Sequence, residues 1–183
     1  MIETFQQWFR EIRDAAIEDK KMRARAAHGD ESCWRQQPWR SPDKNRDIKR
    51  RFAEEGLRRG YRPRPSHLDA RHGEWLYDVT WQRLDPEGFL LGIELAMEIE
   101  VSDAAPVAIR HDFAKLLQTD APYRIQVFQQ RDRPATEALL DYLDDAAARY
   151  QTRRDSSAAL LLCGWCSRDN DFHFRSLDLQ TRP

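Results

Sequence analysis

A chain of 183 residues is long enough to bury one substantial core and too short to need two full-size domains. Its apolar content of 40%, with six Trp and eight Phe, excludes disorder of the whole chain. The formal net charge of −1 does not by itself announce nucleic-acid binding, yet residues 1–70 hold seventeen Lys/Arg against twelve Asp/Glu while residues 71–150 hold eight against fifteen.

Phe5, Trp8, Phe9, Ile12, Ala16 and Ile17 recur at helical spacing and predict an amphipathic first helix through about residue 26. Residues 28–43 carry Gly29, Pro38 and Pro42 and read as an irregular connection. Asp43 or Asn45 then caps a second helix over about 46–59, with Ile48, Phe52 and Leu57 on its packed side and Gly60 as its stop. The Arg62-Pro63-Arg64-Pro65 stretch cannot remain helical and marks the passage into a sheet.

From Glu74 the period changes to two. Trp75, Tyr77, Val79 and Trp81 alternate with Leu76, Asp78 and Thr80, as in a strand. Asp85-Pro86-Glu87-Gly88 is a turn sequence, and the returning strand at about 89–101 sends Ile93, Leu95, Met97, Ile99 and Val101 to one face, Glu94, Ala96, Glu98 and Glu100 to the other. A short helix follows around Ile109, Phe113, Leu116 and Leu117, then a third strand from Tyr123 to Phe128. Pro134 opens a long helix with Leu139, Leu140, Leu143, Ala147 and Tyr150 as its stripe. Ala158–Cys163 reads as a strand covered on both faces and Phe172–Leu179 as an edge strand. The expected order is α-α-β-β-α-β-α-β-β, an α/β fold with a central mixed sheet flanked by helices.

The N-terminal residues lack the apolar run of a signal peptide, and no stretch is apolar enough to cross a bilayer, so a soluble cytoplasmic protein without a membrane partner is expected. Cys33, Cys163 and Cys166 then read as reduced thiols. Cys163-Gly164-Trp165-Cys166 matches a C-x-x-C string, but redox use needs the first Cys at a helix N-terminus, and here it ends an apolar strand. A zinc site built from these thiols with His173 or Cys33 lacks a second C-x-x-C or a His pair to complete four ligands. His67, His72 and His111 read as surface or loop histidines, and Trp34, Trp39 and Arg40 either stack on bases or cover a core edge.

Chemistry concentrates in the acids. Carboxylates on one strand face repel each other, and partial burial raises the cost unless a cation sits between them. Asp78, on the preceding strand of the hairpin, lies within reach of Glu98 or Glu100; a hard cation such as Mg²⁺ or Mn²⁺ would take their oxygens and activate a phosphodiester. The alternative is a solvated acidic face paired with Arg.

Asp78, then Glu98-Ile99-Glu100 twenty positions on at the end of a hairpin, followed by a helix and a further strand, resembles the core of PD-(D/E)xK nucleases. Within that restriction-endonuclease-like superfamily, the segments 74–81, Met97-Glu98-Ile99-Glu100 and Asp112-Phe113-Ala114-Lys115-Leu116-Leu117 look like a group of small bacterial proteins of undefined role. The likeness is best over 74–128. It implies Asp78 and Glu98 as metal ligands, the Ile99 carbonyl facing the metal, and Glu100 where the usual pattern has Lys. Lys115 on the next helix would then supply the ammonium, and Glu54 or Glu55 an outer acid. Residues 1–65 would be a helical extension packed on a nuclease-like core at 66–183. The implied function is metal-dependent phosphodiester hydrolysis of DNA or RNA, with room for a homodimer. The alternative is a non-catalytic scaffold that binds a protein or nucleic-acid partner.

Overall fold

The computed structural model describes residues 1–68, 73, 75–102, 105–150 and 158–178. Helix α1 (Ile2–His28) ends where Gly29 takes a left-handed conformation (φ 82°) and donates its N–H to the Arg25 carbonyl. A single 3-10 turn (Trp34–Gln36) leads to α2 (Ser41–Arg58), with Pro42 in its first turn and Arg40 at its N-cap. The helix therefore begins earlier than Asp43 or Asn45, because a proline is tolerated where the N–H has no intrahelical partner.

Strands β1 (Arg62–Pro65), β2 (Val79–Leu84) and β3 (Leu90–Glu100) are joined antiparallel, and helix α3 (Pro106–Gln118) crosses to β4 (Tyr123–Gln130). Helix α4 (Arg133–Ala148) crosses to β5 (Ala159–Cys166), and β6 (Asp171–Asp178) returns antiparallel. Pairs β3–β4 and β4–β5 are parallel, so the six-stranded sheet is mixed, in the order β1-β2-β3-β4-β5-β6.

One strand was not foreseen. Arg62–Pro65 pairs with β2 as the edge of the sheet, where proline is admissible because a strand with one neighbour keeps half its N–H groups outside the ladder. The expected strand start near Glu74 moves to Val79: Trp75 and Leu76 are exposed, and Glu74 lies outside the described residues.

The two faces of the sheet have separate cores. Phe5, Trp8, Phe9, Ile12, Ile48 and Phe52 of α1 and α2 pack on Val79, Trp81, Leu95, Met97, Ile99, Val127, Leu161 and Cys163. Phe113, Leu117, Leu139, Leu140 and Leu143 of α3 and α4 pack on Phe128, Leu160, Leu162 and Leu177. Residues 1–65 pack on the sheet through one of the two cores and supply an edge strand.

The clean alternation in β3 holds only from Leu95 onward. Trp81 pairs with Leu95 but Gln82 with Ile93, so Glu94 is an extra residue, a β-bulge, and Ile93 turns to the α3 side with Tyr77, Ala96 and Leu116. Tyr150 is exposed beyond the end of α4 and takes no part in its apolar stripe. Trp39 is buried edge-on to Trp165 with ring centroids 4.9 Å apart, so it covers the core.

Candidate functional site

The acids sit where β2 begins and β3 ends. Val79 pairs with Met97, and continuing that antiparallel register by one residue sets Asp78 beside Glu98. Asp78 Oδ2 accepts the Ile99 N–H at 2.9 Å, which ties its carboxylate across the strand pair. Its Oδ1 accepts the Ser66 hydroxyl at 3.1 Å and meets Lys49 Nζ at 2.8 Å. Lys49 is buried and also donates to the Ser66 carbonyl at 2.9 Å, so α2, the residue after β1 and the start of β2 meet at one carboxylate.

Glu98 is only 3% exposed. Lys115 Nζ, reaching down from α3, stands 2.6 Å from Glu98 Oε1 and 3.0 Å from Asp112 Oδ1. The ammonium thus joins the buried acid as well as the Asp three residues before it on its own helix. Burial is the largest influence on Glu98 and pushes its pKa up to about 8; Lys115 opposes that rise, while Asp78 and Asp112 add to it. For Lys115 burial acts downward, but the two carboxylates together hold its pKa above the ordinary lysine value.

Glu100 turns aside: its Oε1 accepts the backbone N–H of Ser102 at 3.0 Å and the Ser102 hydroxyl. Among the described residues, Asp78, Glu98 and Glu100 do not gather their oxygens to within 4.8 Å of one another. The structure therefore pairs Asp78 with Lys49 and Glu98 with Lys115, close enough for Asp78 to act on the charge of Glu98, and turns Glu100 to Ser102. Glu55 pairs with Arg58 at 2.6 Å and Arg51 at 3.5 Å on α2, while Glu54 lines a groove of about 560 Å³ between α1 and α2. His111 is exposed, His67 is exposed with φ 52°, and His72 lies outside the described residues.

Two members of the cluster escaped sequence reasoning. Lys49 was hidden because a lysine beside Ile48 looks like the flank of an apolar stripe. Gln126 pairs with Glu98 in the parallel β3–β4 register, is fully buried, and leaves its Oε1 without a hydrogen-bond partner among the described residues. An amide in the middle of Tyr123-Arg124-Ile125-Gln126-Val127-Phe128 was the available signal, since a buried polar group needs a partner or a purpose. Thr80 Oγ1, two residues from Asp78, is likewise buried without a partner.

The donor set suits a hard cation. Two carboxylates and an amide oxygen, from the residue before β2 and from β3 and β4, are of the ligand types Mg²⁺ and Mn²⁺ take, and a dication would relieve the cost of ionising Glu98. Each carboxylate already faces an ammonium, so a bound cation would compete with Lys49 for Asp78 and with Lys115 for Glu98. The thiols do not form a redox pair: Cys163 lies in the core under α1 and α2, and two residues three apart in a strand have Cα atoms about 10 Å apart, too far for a disulfide. Burial pushes both thiol pKa values up.

Among the described residues no helix is long and apolar enough to cross a membrane. Compared with known proteins, the chain matches no family model, no curated protein and no solved structure.

Proposed function

We propose that the chain is a metal-dependent phosphodiesterase of the PD-(D/E)xK type that acts on nucleic acid in the cytoplasm. The observation that carries the reading is Glu98, a nearly inaccessible carboxyl with a raised pKa, paired with the Lys115 ammonium and repelled by Asp78. Strongly perturbed acids with a defined charge partner concentrate at catalytic sites.

Asp78 and Glu98 would hold Mg²⁺ or Mn²⁺, which when bound polarises the phosphoryl group and lowers the pKa of water. The chain's own contributions are separable. Lys115 places a fixed positive charge beside Glu98, where it favours negative charge developing on a phosphoryl oxygen. Burial raises the Glu98 pKa to about 8, so a bound cation would favour its ionised form. Lys49 and the Ile99 N–H fix the Asp78 carboxylate, which lowers the entropy lost in orienting it, although a cation must compete with the Lys49 ammonium.

Cleavage of mixed DNA and RNA by the intact chain with Mg²⁺ or Mn²⁺, compared with EDTA, tests this directly. Lys115→Ala should lower the rate by about 100-fold or more, and Glu98→Ala should abolish saturable Mn²⁺ binding. The absence of any cleavage, together with no calorimetric Mn²⁺ binding up to millimolar concentration, would overturn the proposal. That outcome would favour the second reading, a non-catalytic scaffold, for which the complete pairing of Asp78 and Glu98 with lysines speaks.

A further inference from the structure

A second cluster lies two to three strands from Glu98, at the turn between β5 and β6. Cys166 is the last residue of β5 and is buried; His173 lies on β6 with a side chain 16% exposed; Asp169 stands in the connecting turn. One ligand atom from each, the Cys166 sulfur, an Asp169 oxygen and a His173 nitrogen, lies within 4.8 Å of the other two. The turn that brings them together is anchored on both sides. Ser167 and Arg168 donate their N–H groups to the carbonyls of Gln130 and Arg131, Asn170 takes a left-handed conformation (φ 55°) and donates to the Cys166 carbonyl at 2.9 Å, and the Asn170 side chain accepts from Lys20.

The imidazole is held from both ends. His173 Nε2 stands 3.2 Å from Asp169 Oδ2, and His173 Nδ1 stands 3.6 Å from Glu137 Oε1 on α4. Glu137 in turn meets Arg175 at 3.4 Å, so it is a fixed carboxylate. A metal-bound histidine characteristically gives its second ring N–H to such a carboxylate, which fixes the tautomer and strengthens the ligand. A mere ion-pair chain of Asp169, His173 and Glu137 would not need the buried sulfur that β5 delivers to the same point.

We propose that Cys166, Asp169 and His173 bind a zinc ion, with Glu137 orienting His173. The mixed sulfur, nitrogen and oxygen set selects a borderline dication such as Zn²⁺ and disfavours Mg²⁺, which wants oxygen alone. Zinc bonds of about 2.0–2.3 Å set ligand atoms about 3.3–3.6 Å apart, so the observed group closes on an ion by small side-chain rotations. Three protein ligands leave a fourth position, and the exposure of Asp169 opens it to water or a ligand. The site is independent of the acids at Glu98.

Cobalt(II) titration of the full chain under reducing conditions tests the assignment, because only a thiolate ligand gives a sulfur-to-cobalt charge-transfer band. One equivalent of Co²⁺ should raise that band, and Zn²⁺ should bleach it. Cys166→Ser should remove the band, Asp169→Asn and His173→Asn should weaken binding by at least tenfold, and Glu137→Gln should weaken it by about 10- to 100-fold. Cys33→Ser and Glu98→Ala should leave the band intact. Because Cys166 is buried and its replacement can unfold the chain, the Asp169→Asn variant at an exposed turn carries the test equally. Saturation without a charge-transfer band, a band that survives Asp169→Asn and His173→Asn at unchanged affinity, or a band lost in Cys33→Ser would each overturn the proposal.

Discussion

At the residue scale the decisive group is Glu98, whose pKa of about 8 in the folded chain lies above its ordinary value of 4.5. Between those two values the folded state holds a proton that the unfolded state has lost, so stability falls as pH rises through this window and levels off above it. Below pH 4.5 the contribution is fully present. Wild type should therefore lose about 4 kcal/mol relative to Glu98→Gln between pH 5 and pH 9, read as diverging urea midpoints of the two proteins. Equal pH slopes would show that Glu98 ionises normally. The same proton competes with a cation, so Mn²⁺ affinity should climb by about tenfold per pH unit up to pH 8 and then level. Strand alternation in the sequence marks Asp78 and Glu98 as neighbours and the family resemblance points to Lys115, whereas Glu100 turns to Ser102 instead. Lys49 and Gln126 were not, since their partners arrive from elements distant in the chain. Asp169 was missed for a related reason: a zinc ligand set was sought among thiols and histidines, and the turn supplies a carboxylate instead.

At the scale of elements, α2 packs closely on β2 at Gly56. A Cβ on Gly56 would stand 2.6 Å from Trp81 Nε1, and that indole already donates its N–H to the Phe52 carbonyl one turn earlier on the same helix. Gly56→Ala brings two opposed effects. Helix propensity favours alanine by about 1 kcal/mol, whereas overpacking against a fully buried ring costs about 1–3 kcal/mol. The clash should prevail, lowering the urea midpoint and perturbing Trp81 fluorescence; a stabilised variant would mean that the sheet yields more readily than its packing implies. Helices and strands with long apolar periodicity were readable in advance, as α1, α4 and β5 illustrate. The edge strand β1 was not, because Arg-Pro-Arg-Pro has no strand propensity of its own and pairs only once β2 is there to receive it. The bulge at Glu94 was equally invisible, being a property of the pairing rather than of either strand.

At the scale of the whole molecule, the aromatic core that joins α1 and α2 to the sheet binds the N-terminal third to the rest. Phe5 alone lies within 5.4–5.9 Å, centroid to centroid, of Trp8, Phe52, Trp81 and Tyr123. Removing residues 1–28 should therefore abolish the cooperative transition of the entire chain instead of releasing a folded remainder, as circular dichroism during urea denaturation would reveal. A truncated chain that still melts sharply would assign the helices to a detachable extension. The strand order has a further consequence, for synthesis. Each strand is laid beside the one made just before it, so none must be inserted between two that are already paired. A ribosome releasing this chain from its N-terminus would let the sheet extend by its newest edge at every step. The two parallel pairs close only through the helix-bearing crossovers from Glu100 to Tyr123 and from Gln130 to Ala159, so these are the slow steps, while sequential addition limits how long each unpaired edge is open to neighbouring chains.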